Sequence, residues 1–360
     1  MSRWRDLDWI VLGLALLISC IGILEIHGAT VGTKFAGIYV KQIYFLVAGV
    51  VLLFIVSRID YQLLLDAAPW LYLLSVGALG LVLVVGRAIF HSRRWIPLGP
   101  LHLQVSELVK LVIIVVVARY FAGTRNALPG FRDAIRIGLL VGVPMLLVLA
   151  EPDLGTALTY LPVAAMGLWL GGLRWRHFAI LGLLGLMVLP LAWRHMHPYQ
   201  KARLESFLRP QADPLGTGYQ LLQSKIAVGS GGLWGTGAAH GSQTRGAFLP
   251  VPQTDFIFAA YAEQYGFLGG IALLFLYLLL LMRLIQDAQS APDRGGGLLI
   301  MGVVAVLAFH VLVNVGMAVG VMPVTGIPLP LMSSGGSSLL FTFAALGVAM
   351  NVRMSRFVNS

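Results

Sequence analysis

The side chains of this sequence that could take part in chemistry lie in three polar stretches between long apolar runs. The first stretch ends in Glu107 and Lys110, which are three residues apart and would share one face of a helix. Opposite charges at that spacing can neutralise each other. The pattern therefore fits both a structural ion pair and a functional site at membrane depth.

The second stretch is an acidic turn, Glu151-Pro-Asp153-Leu-Gly-Thr156. An aspartate in this position can accept a hydrogen bond from a backbone NH group two or three residues further on and so begin a helix. Taken alone, the turn is best interpreted as Asp153 capping the helix that starts near Thr156.

The third stretch is a long polar loop over residues 194–255. Its glycines suggest a phosphate-binding loop, but no Gly-Lys-Ser/Thr follows them and no strand precedes them. Asp255 is a more specific feature, because it is a carboxylate placed where the loop becomes an apolar helix. Such a residue is either functional or, together with Thr254, an N-cap of that helix.

The composition of the chain defines the protein class. Of its 360 residues, 58% are apolar and 11% are charged, with a mean hydropathy of +0.86, whereas about a quarter of the residues in a soluble domain are charged. The net charge of +10 comes from Lys and Arg residues scattered singly. This distribution argues against nucleic acid and favours membrane lipids as the counter-charge. The single cysteine, Cys20, excludes an intramolecular disulfide.

Ten apolar runs have about the length needed to span a bilayer. They cover residues 9–27, 38–56, 70–86, 107–122, 137–150, 156–172, 178–193, 256–282, 298–319 and 338–353. We therefore predict an all-α, polytopic integral membrane protein with about ten transmembrane helices. The long loop at 194–255 is the only polar segment of its size, and the sequence indicates one membrane domain over residues 1–360.

Positive charge predicts the orientation. With a cytoplasmic N-terminus, the inner segments hold thirteen arginines and the short outer segments hold five Lys or Arg residues, as the positive-inside rule requires. Both termini are then inside and the loop at 194–255 is outside. Eight of the fifteen carboxylates lie at or near the outer side: Glu25, Glu107, Glu151, Asp153, Glu205, Asp213, Asp255 and Glu263.

A series of short motifs resembles one known family. In chain order they are Arg94-Trp-Ile96, Gln104-Val-Ser-Glu107, Glu151-Pro-Asp-Leu-Gly-Thr-Ala157, Asp213-Pro-Leu-Gly-Thr-Gly-Tyr-Gln220, Gln223-Ser224, Gly229-Ser-Gly-Gly232, Thr254-Asp-Phe-Ile-Phe258, Gly326-Ile-Pro-Leu-Pro330 and Ser334-Gly-Gly-Ser-Ser338. Together they resemble the SEDS family (shape, elongation, division and sporulation). The short N-terminal tail and the Pro-Asp-Leu-Gly-Thr turn are more similar to the elongation subfamily, RodA, than to the division subfamily, FtsW.

Three departures from the family pattern are visible. Val105 stands where the family usually has proline, Ser333 stands where it usually has tyrosine, and Ile26-His27 replaces a tyrosine-serine pair. These positions concern local packing and subfamily rather than Asp255.

The resemblance implies a peptidoglycan glycosyltransferase in the bacterial inner membrane. It would polymerise lipid II into β-1,4 glycan strands during cell elongation, by inverting displacement of undecaprenyl pyrophosphate on the outer face. Asp255 matches the family's essential aspartate and would be the general base. Lys110 and Arg203 are candidates to stabilise the departing pyrophosphate, aided by a divalent cation (Mg or Mn) held by carboxylates such as Asp153. Further substrate-binding candidates are Glu107, Thr156, Gln223 and Lys225.

Two alternatives come from other functional classes. A lipid II flippase would use Glu107, Lys110 and Glu263 to line a translocation path, although the sequence halves show no inverted repeat. A membrane scaffold would hold a class B penicillin-binding protein, the transpeptidase partner that the resemblance implies, with other elongation-complex proteins.

Overall fold

The computed structural model describes residues 7–33, 35–85, 87–89, 92–98, 101–123, 129–196, 198–213, 216–237, 241–246 and 248–356. These residues form fifteen α-helices, one 3-10 turn and one small sheet. The helices are α1 (Trp9–Thr30), α2 (Ile38–Val56), α3 (Tyr61–Asp66), α4 (Ala68–Val85), α5 (Val105–Gly123), α6 (Phe131–Ala150), α7 (Leu154–Leu158), α8 (Tyr160–Gly171), α9 (Trp175–His195), α10 (Pro198–Leu208), α11 (Thr217–Ser230), α12 (Ser242–Arg245), α13 (Ile257–Gln289), α14 (Arg294–Ala318) and α15 (Gly336–Ser355).

The predicted helical, polytopic membrane fold is confirmed. Within the described part of the chain, seven segments are long and apolar enough to span a bilayer: α1, α2, α6, α7 with α8, α13, α14 and α15. The remaining three predicted runs correspond to α4 and α9, which have shorter apolar stretches, and to α5, which carries Glu107, Lys110 and Arg119. In the centre of the bundle, α14 and α15 are buried over most of their length.

The observed helices differ from the predicted runs mainly at their ends. α6 begins at Phe131, six residues before the predicted run. The difference arises because the first turns of α6 hold the charged residues Arg132, Asp133 and Arg136. A search for apolar runs excludes such charged turns, although the helix contains them. The predicted loop at 194–255 also contains three helices, α10, α11 and α12.

A three-stranded antiparallel sheet connects α4 to α5. Its strands are β1 (Arg87–Ile89), β2 (Ser92–Leu98) and β3 (Leu101–Gln104), with Trp95 paired to both Arg87 and Gln104. The all-α prediction missed this sheet, because strands of three to seven residues leave no 20-residue apolar signature. The side chains of Arg93, Arg94 and Trp95 lie outside the described residues.

α13 is broken at Gly266, whose backbone has φ 69° and ψ −168°. Residues 232–237 of the preceding loop pack against the break and form hydrogen bonds with the backbone groups that the break leaves without helical partners. Four hydrogen bonds join them: Thr236 N to Glu263 O (3.0 Å), Gly237 N to Gln264 O (3.0 Å), Phe267 N to Gly232 O (2.8 Å) and Leu268 N to Leu233 O (3.2 Å). The first turns of α13, which follow Asp255, are therefore held by the loop.

Replacing Gly266 with alanine is expected to destabilise the protein. Its backbone conformation is one that only glycine adopts without strain, at a cost of about 1–3 kcal/mol for other residues, and a Cβ would also overlap Gly235 N and Leu233 O. The melting temperature in detergent should fall. Gly270→Ala is the matched control on the same helix, because its Cβ would only touch the Phe258 ring at 3.6 Å. Equal melting temperatures for the two variants would contradict this account of the break.

Candidate functional site

A cleft of about 270 Å³ lies at the end of the bundle where α13 begins. It is lined by residues from the β3–α5 junction, the acidic turn before α7, helix α10, the segment before α13, the α14–α15 connection (residues 319–335) and the start of α15. The lining residues that carry side-chain polar groups are Gln104, Glu107, Asp153, Thr156, Tyr199, Arg203, Thr254, Asp255, Thr325, Ser334, Ser337 and Ser338. Five of the eight predicted site residues are among them.

Asp255 lies on the cleft wall and is half-buried. α13 starts at Ile257 with Phe256 in the N-cap position, so Asp255 stands one residue before the cap rather than in it. The backbone carbonyl of Asp255 accepts a hydrogen bond from Asn314 Nδ2 (3.0 Å), and the same nitrogen donates to Ile327 O (2.8 Å). Asn314 thus fixes the backbone of Asp255 against the α14–α15 connection.

Arg203 brings a positive charge to the same part of the cleft as Asp255. Both side chains lie close to Gly326. A Cβ atom built on Gly326 would lie 3.7 Å from Arg203 Nη1 and 3.7 Å from Asp255 Oδ2. The guanidinium also donates to Thr325 O (3.1 Å). On the same helix α10, Tyr199 donates a hydrogen bond to Pro152 O, so this helix bridges the acidic turn and the α14–α15 connection.

Asp153 caps α7, as the sequence indicated. Its carboxylate accepts hydrogen bonds from Thr156 N (3.1 Å), Thr156 Oγ1 (2.9 Å) and Gln104 Nε2 (2.7 Å). Asp153 is both a cap and part of the cleft wall. Among the residues that the structure describes, no three His, Cys, Asp or Glu side chains form a metal-binding group.

Glu107 and Lys110 form the ion pair that their spacing predicted. Lys110 Nζ lies 2.7 Å from Glu107 Oε2. Glu107 lines the cleft, whereas Lys110 is completely buried behind it. Lys110 was predicted to contact the substrate, but in this structure it lies behind the cleft wall and contacts Glu107, which lines the cleft.

Gln223 and Lys225 do not reach the cleft. Both lie on α11, which is attached to the end of α14 by a hydrogen bond from Ser224 Oγ to Ala318 O (2.8 Å). Lys225 is exposed and its side chain lies over Gly320. The substrate-binding roles predicted for these two residues have no support from the cleft geometry.

Glu263 also lies outside the cleft. Its buried carboxylate accepts hydrogen bonds from Gln243 N (2.8 Å), Thr244 N (3.0 Å) and Thr244 Oγ1 (2.6 Å). Glu263 therefore anchors α12 to α13. The three charges of the flippase alternative, Glu107, Lys110 and Glu263, are thus engaged in two separate structural contacts, and no described feature of the fold favours that alternative.

The α14–α15 connection is irregular backbone held by side chains from the surrounding helices. Five of its carbonyl groups accept side-chain hydrogen bonds: Thr325 O from Arg203, Ile327 O from Asn314, Pro328 O from His310, Pro330 O from Tyr277 and Ser333 O from Gln42. Non-helical backbone is stable at membrane depth only when its polar groups are satisfied in this way.

Sequence reasoning missed the residues that hold this connection, in particular His310 and Asn314. A signal was available, because each is a strongly polar side chain inside the apolar run 298–319, and such residues usually face the interior of a bundle.

The comparisons with known proteins agree with this fold. The FTSW_RODA_SPOVE model of cell cycle proteins matches residues 5–357, and the chain therefore belongs to this family. It is a multi-pass bacterial membrane protein. The peptidoglycan glycosyltransferase MrdB of Escherichia coli K12 is 38% identical over 322 residues, which cover 89% of this chain and 86% of MrdB.

Solved structures show the same architecture. One, described as structural coordination of polymerization and crosslinking by a peptidoglycan synthase complex, superposes with a TM-score of 0.84 at 38% identity and covers 98% of each chain. The Rod shape determining protein RodA of Thermus thermophilus superposes with a TM-score of 0.74 at 33% identity and covers 99% of each chain.

Proposed function

We propose that this chain is a peptidoglycan glycosyltransferase that polymerises lipid II into β-1,4 glycan strands. The observation that carries the proposal is that the Asp255 carboxylate and the Arg203 guanidinium line one cleft and both lie close to Gly326. Glycosyl transfer from a pyrophosphate donor needs both a base and a positive charge. The relatives named as peptidoglycan glycosyltransferases support the same reaction.

The reaction is a single displacement with inversion. The 4-hydroxyl oxygen of the acceptor sugar attacks the anomeric carbon of the donor, and Asp255 accepts the hydroxyl proton. The bond between the anomeric carbon and the phosphate oxygen breaks, and undecaprenyl pyrophosphate leaves with the bonding electrons. Arg203 offers several NH donors to the developing phosphate charge.

The remaining cleft residues would bind the sugar groups. Glu107 and Asp153 present carboxylate oxygens to the cleft, and Thr156 presents a hydroxyl. These groups suit the hydroxyl and amide hydrogens of an amino sugar. Gln104 and Thr156 hold Asp153 in place by hydrogen bonds.

A divalent cation would assist the leaving group. Mg²⁺ is commonly held by one or two carboxylates together with substrate phosphates rather than by a complete protein site, and this mode fits a cleft that Asp153 lines. We expect EDTA to lower the rate of polymerisation and added Mg²⁺ or Mn²⁺ to restore it. A full rate in EDTA would mean that Arg203 acts without a metal.

The cleft would face the outside of the cell, with both termini in the cytoplasm. To test this orientation, Cys20→Ser provides a cysteine-free background, in which Gln211→Cys and Arg176→Cys introduce thiols at two exposed polar positions. A membrane-impermeant maleimide should label Gln211→Cys in intact spheroplasts and Arg176→Cys only after lysis. A reporter fused after Ser360 should behave as cytoplasmic. Labelling of both cysteines in intact spheroplasts would refute the ten-span topology.

The biological setting would be cell elongation, with a class B penicillin-binding protein as the transpeptidase partner. The similar structure of a synthase complex that couples polymerization to crosslinking supports such a partner.

The deciding experiment uses purified protein, with and without the partner, and labelled lipid II. Glycan ladders on a gel are the expected result. Movement of lipid II across vesicle membranes without any polymer would overturn the proposal in favour of a flippase. Recovery of partner activity without either process would favour a scaffold.

A further inference from the structure

His310 is a buried, ionisable residue that the proposed reaction does not use. It lies on α14 and is 2% exposed. Its Nδ1 atom is 3.1 Å from Pro328 O and its Nε2 atom is 3.3 Å from Lys110 Nζ. Both contacts lead to the cleft, because Pro328 lines it and Lys110 pairs with Glu107, which also lines it.

The contact with Pro328 determines the tautomer of His310. A carbonyl oxygen can only accept a hydrogen bond, so Nδ1 must carry the hydrogen. In the neutral imidazole Nε2 then has a free lone pair and accepts a hydrogen bond from the Lys110 ammonium group.

Each hydrogen of the Lys110 ammonium group then has a partner. Glu107 Oε2 accepts at 2.7 Å and His310 Nε2 accepts at 3.3 Å. The ring of Phe341 lies with its centroid 4.5 Å from Nζ, a distance at which a cation is attracted to an aromatic face. A buried ammonium group with three such partners has one favoured direction.

We infer that His310 is a positioning residue for the proposed glycosyl transfer. It directs Lys110 towards Glu107 and thereby holds the Glu107 carboxylate on the cleft wall, while its other nitrogen holds the backbone at Pro328. This inference rests on the proposed function for its catalytic consequence. The structural part, the dependence of Lys110 on His310, stands separately.

Three substitutions at His310 distinguish the roles of its two ring nitrogen atoms. Gln places an acceptor near the position of Nε2 and can still receive the Lys110 hydrogen, whereas Asn places a donor near Nδ1 and leaves Lys110 without that acceptor. Phe keeps the ring and removes both nitrogens. At equal amounts of folded protein, His310→Gln should retain most of the polymerisation rate. His310→Asn and His310→Phe should lose about 10- to 100-fold, as expected when a group that positions the substrate is displaced by about 1 Å.

A second readout needs no substrate. Replacing His310 with Phe should lower the melting temperature clearly in the wild-type background. In a Lys110→Met background the fall should be much smaller, because there is no longer an ammonium group that needs His310 as its acceptor. An equal fall in both backgrounds, or an Asn variant as active as the Gln variant, would overturn the inference. If the wild-type protein makes no glycan, the proposed function fails, and the melting cycle alone decides the role of His310.

Discussion

Asp255→Asn is expected to reduce the rate of glycan polymerisation by about a hundred- to ten-thousand-fold, the usual contribution of a general base. The substitution keeps the shape of the side chain and its ability to accept a hydrogen bond, but an amide does not take a proton from the acceptor hydroxyl at neutral pH. Because Asp255 stands before the N-cap of α13 and its backbone is held by Asn314, the variant should fold normally. The measurement is the initial rate of lipid II consumption by purified protein.

Asp213→Asn is a matched control for this prediction. Asp213 is also a loop carboxylate, and it accepts hydrogen bonds from Thr217 N (2.8 Å) and Thr217 Oγ1 (3.2 Å) at the start of α11. It does not line the cleft. Asparagine can still accept these hydrogen bonds, so Asp213→Asn should polymerise at a nearly normal rate. A nearly normal rate in Asp255→Asn would instead refute its role as base and make Asp153 the next carboxylate to test.

Lys110→Met is expected to lower the free energy of unfolding by about 3–5 kcal/mol, since it leaves the buried Glu107 carboxylate without its counter-charge. Lys110 is completely buried and Glu107 is only 4% exposed, so the carboxylate would lose its counter-charge in a largely desolvated position. Thermal unfolding in detergent measures the effect.

The double variant Lys110→Met with Glu107→Leu is the control, because replacing both members of a buried pair with apolar residues of similar volume is often neutral. It should recover most of the stability without activity. If Glu107→Gln alone abolishes polymerisation at unchanged stability, Glu107 contacts the substrate directly and the purely structural interpretation of the pair is wrong.

The parts of the structure that the sequence predicted depend on local spacing. Residues 38–56 were predicted as a span because they are apolar except for Lys41, Gln42 and two tyrosines, and α2 has those bounds. The Glu107–Lys110 pair and the Asp153 cap each involve residues three apart, and helix geometry alone brings such residues together.

Other parts depend on contacts that local spacing does not contain. His310 and Lys110 are 200 residues apart, and Asn314 is 59 residues from Asp255. The position of the break in α13 could not be chosen from sequence either, because Gly266, Gly269 and Gly270 are close together and only Gly266 meets the loop backbone. Gln223 belongs to a family motif and Lys225 follows that motif, but a motif does not specify which side of α11 faces the cleft.

The interrupted helix α13 also has a consequence for the assembly of the protein in the membrane. Without the loop at 232–237, the peptide groups on both sides of Gly266 would enter the lipid without partners, and each would cost several kcal/mol. The ribosome makes this loop before it makes α13, so in the proposed orientation the loop has already been exported when the helix leaves the translocon. The chain order thus supplies the hydrogen-bonding partners before the broken helix requires them, and moving the loop to a later point in the chain would remove that advantage during insertion.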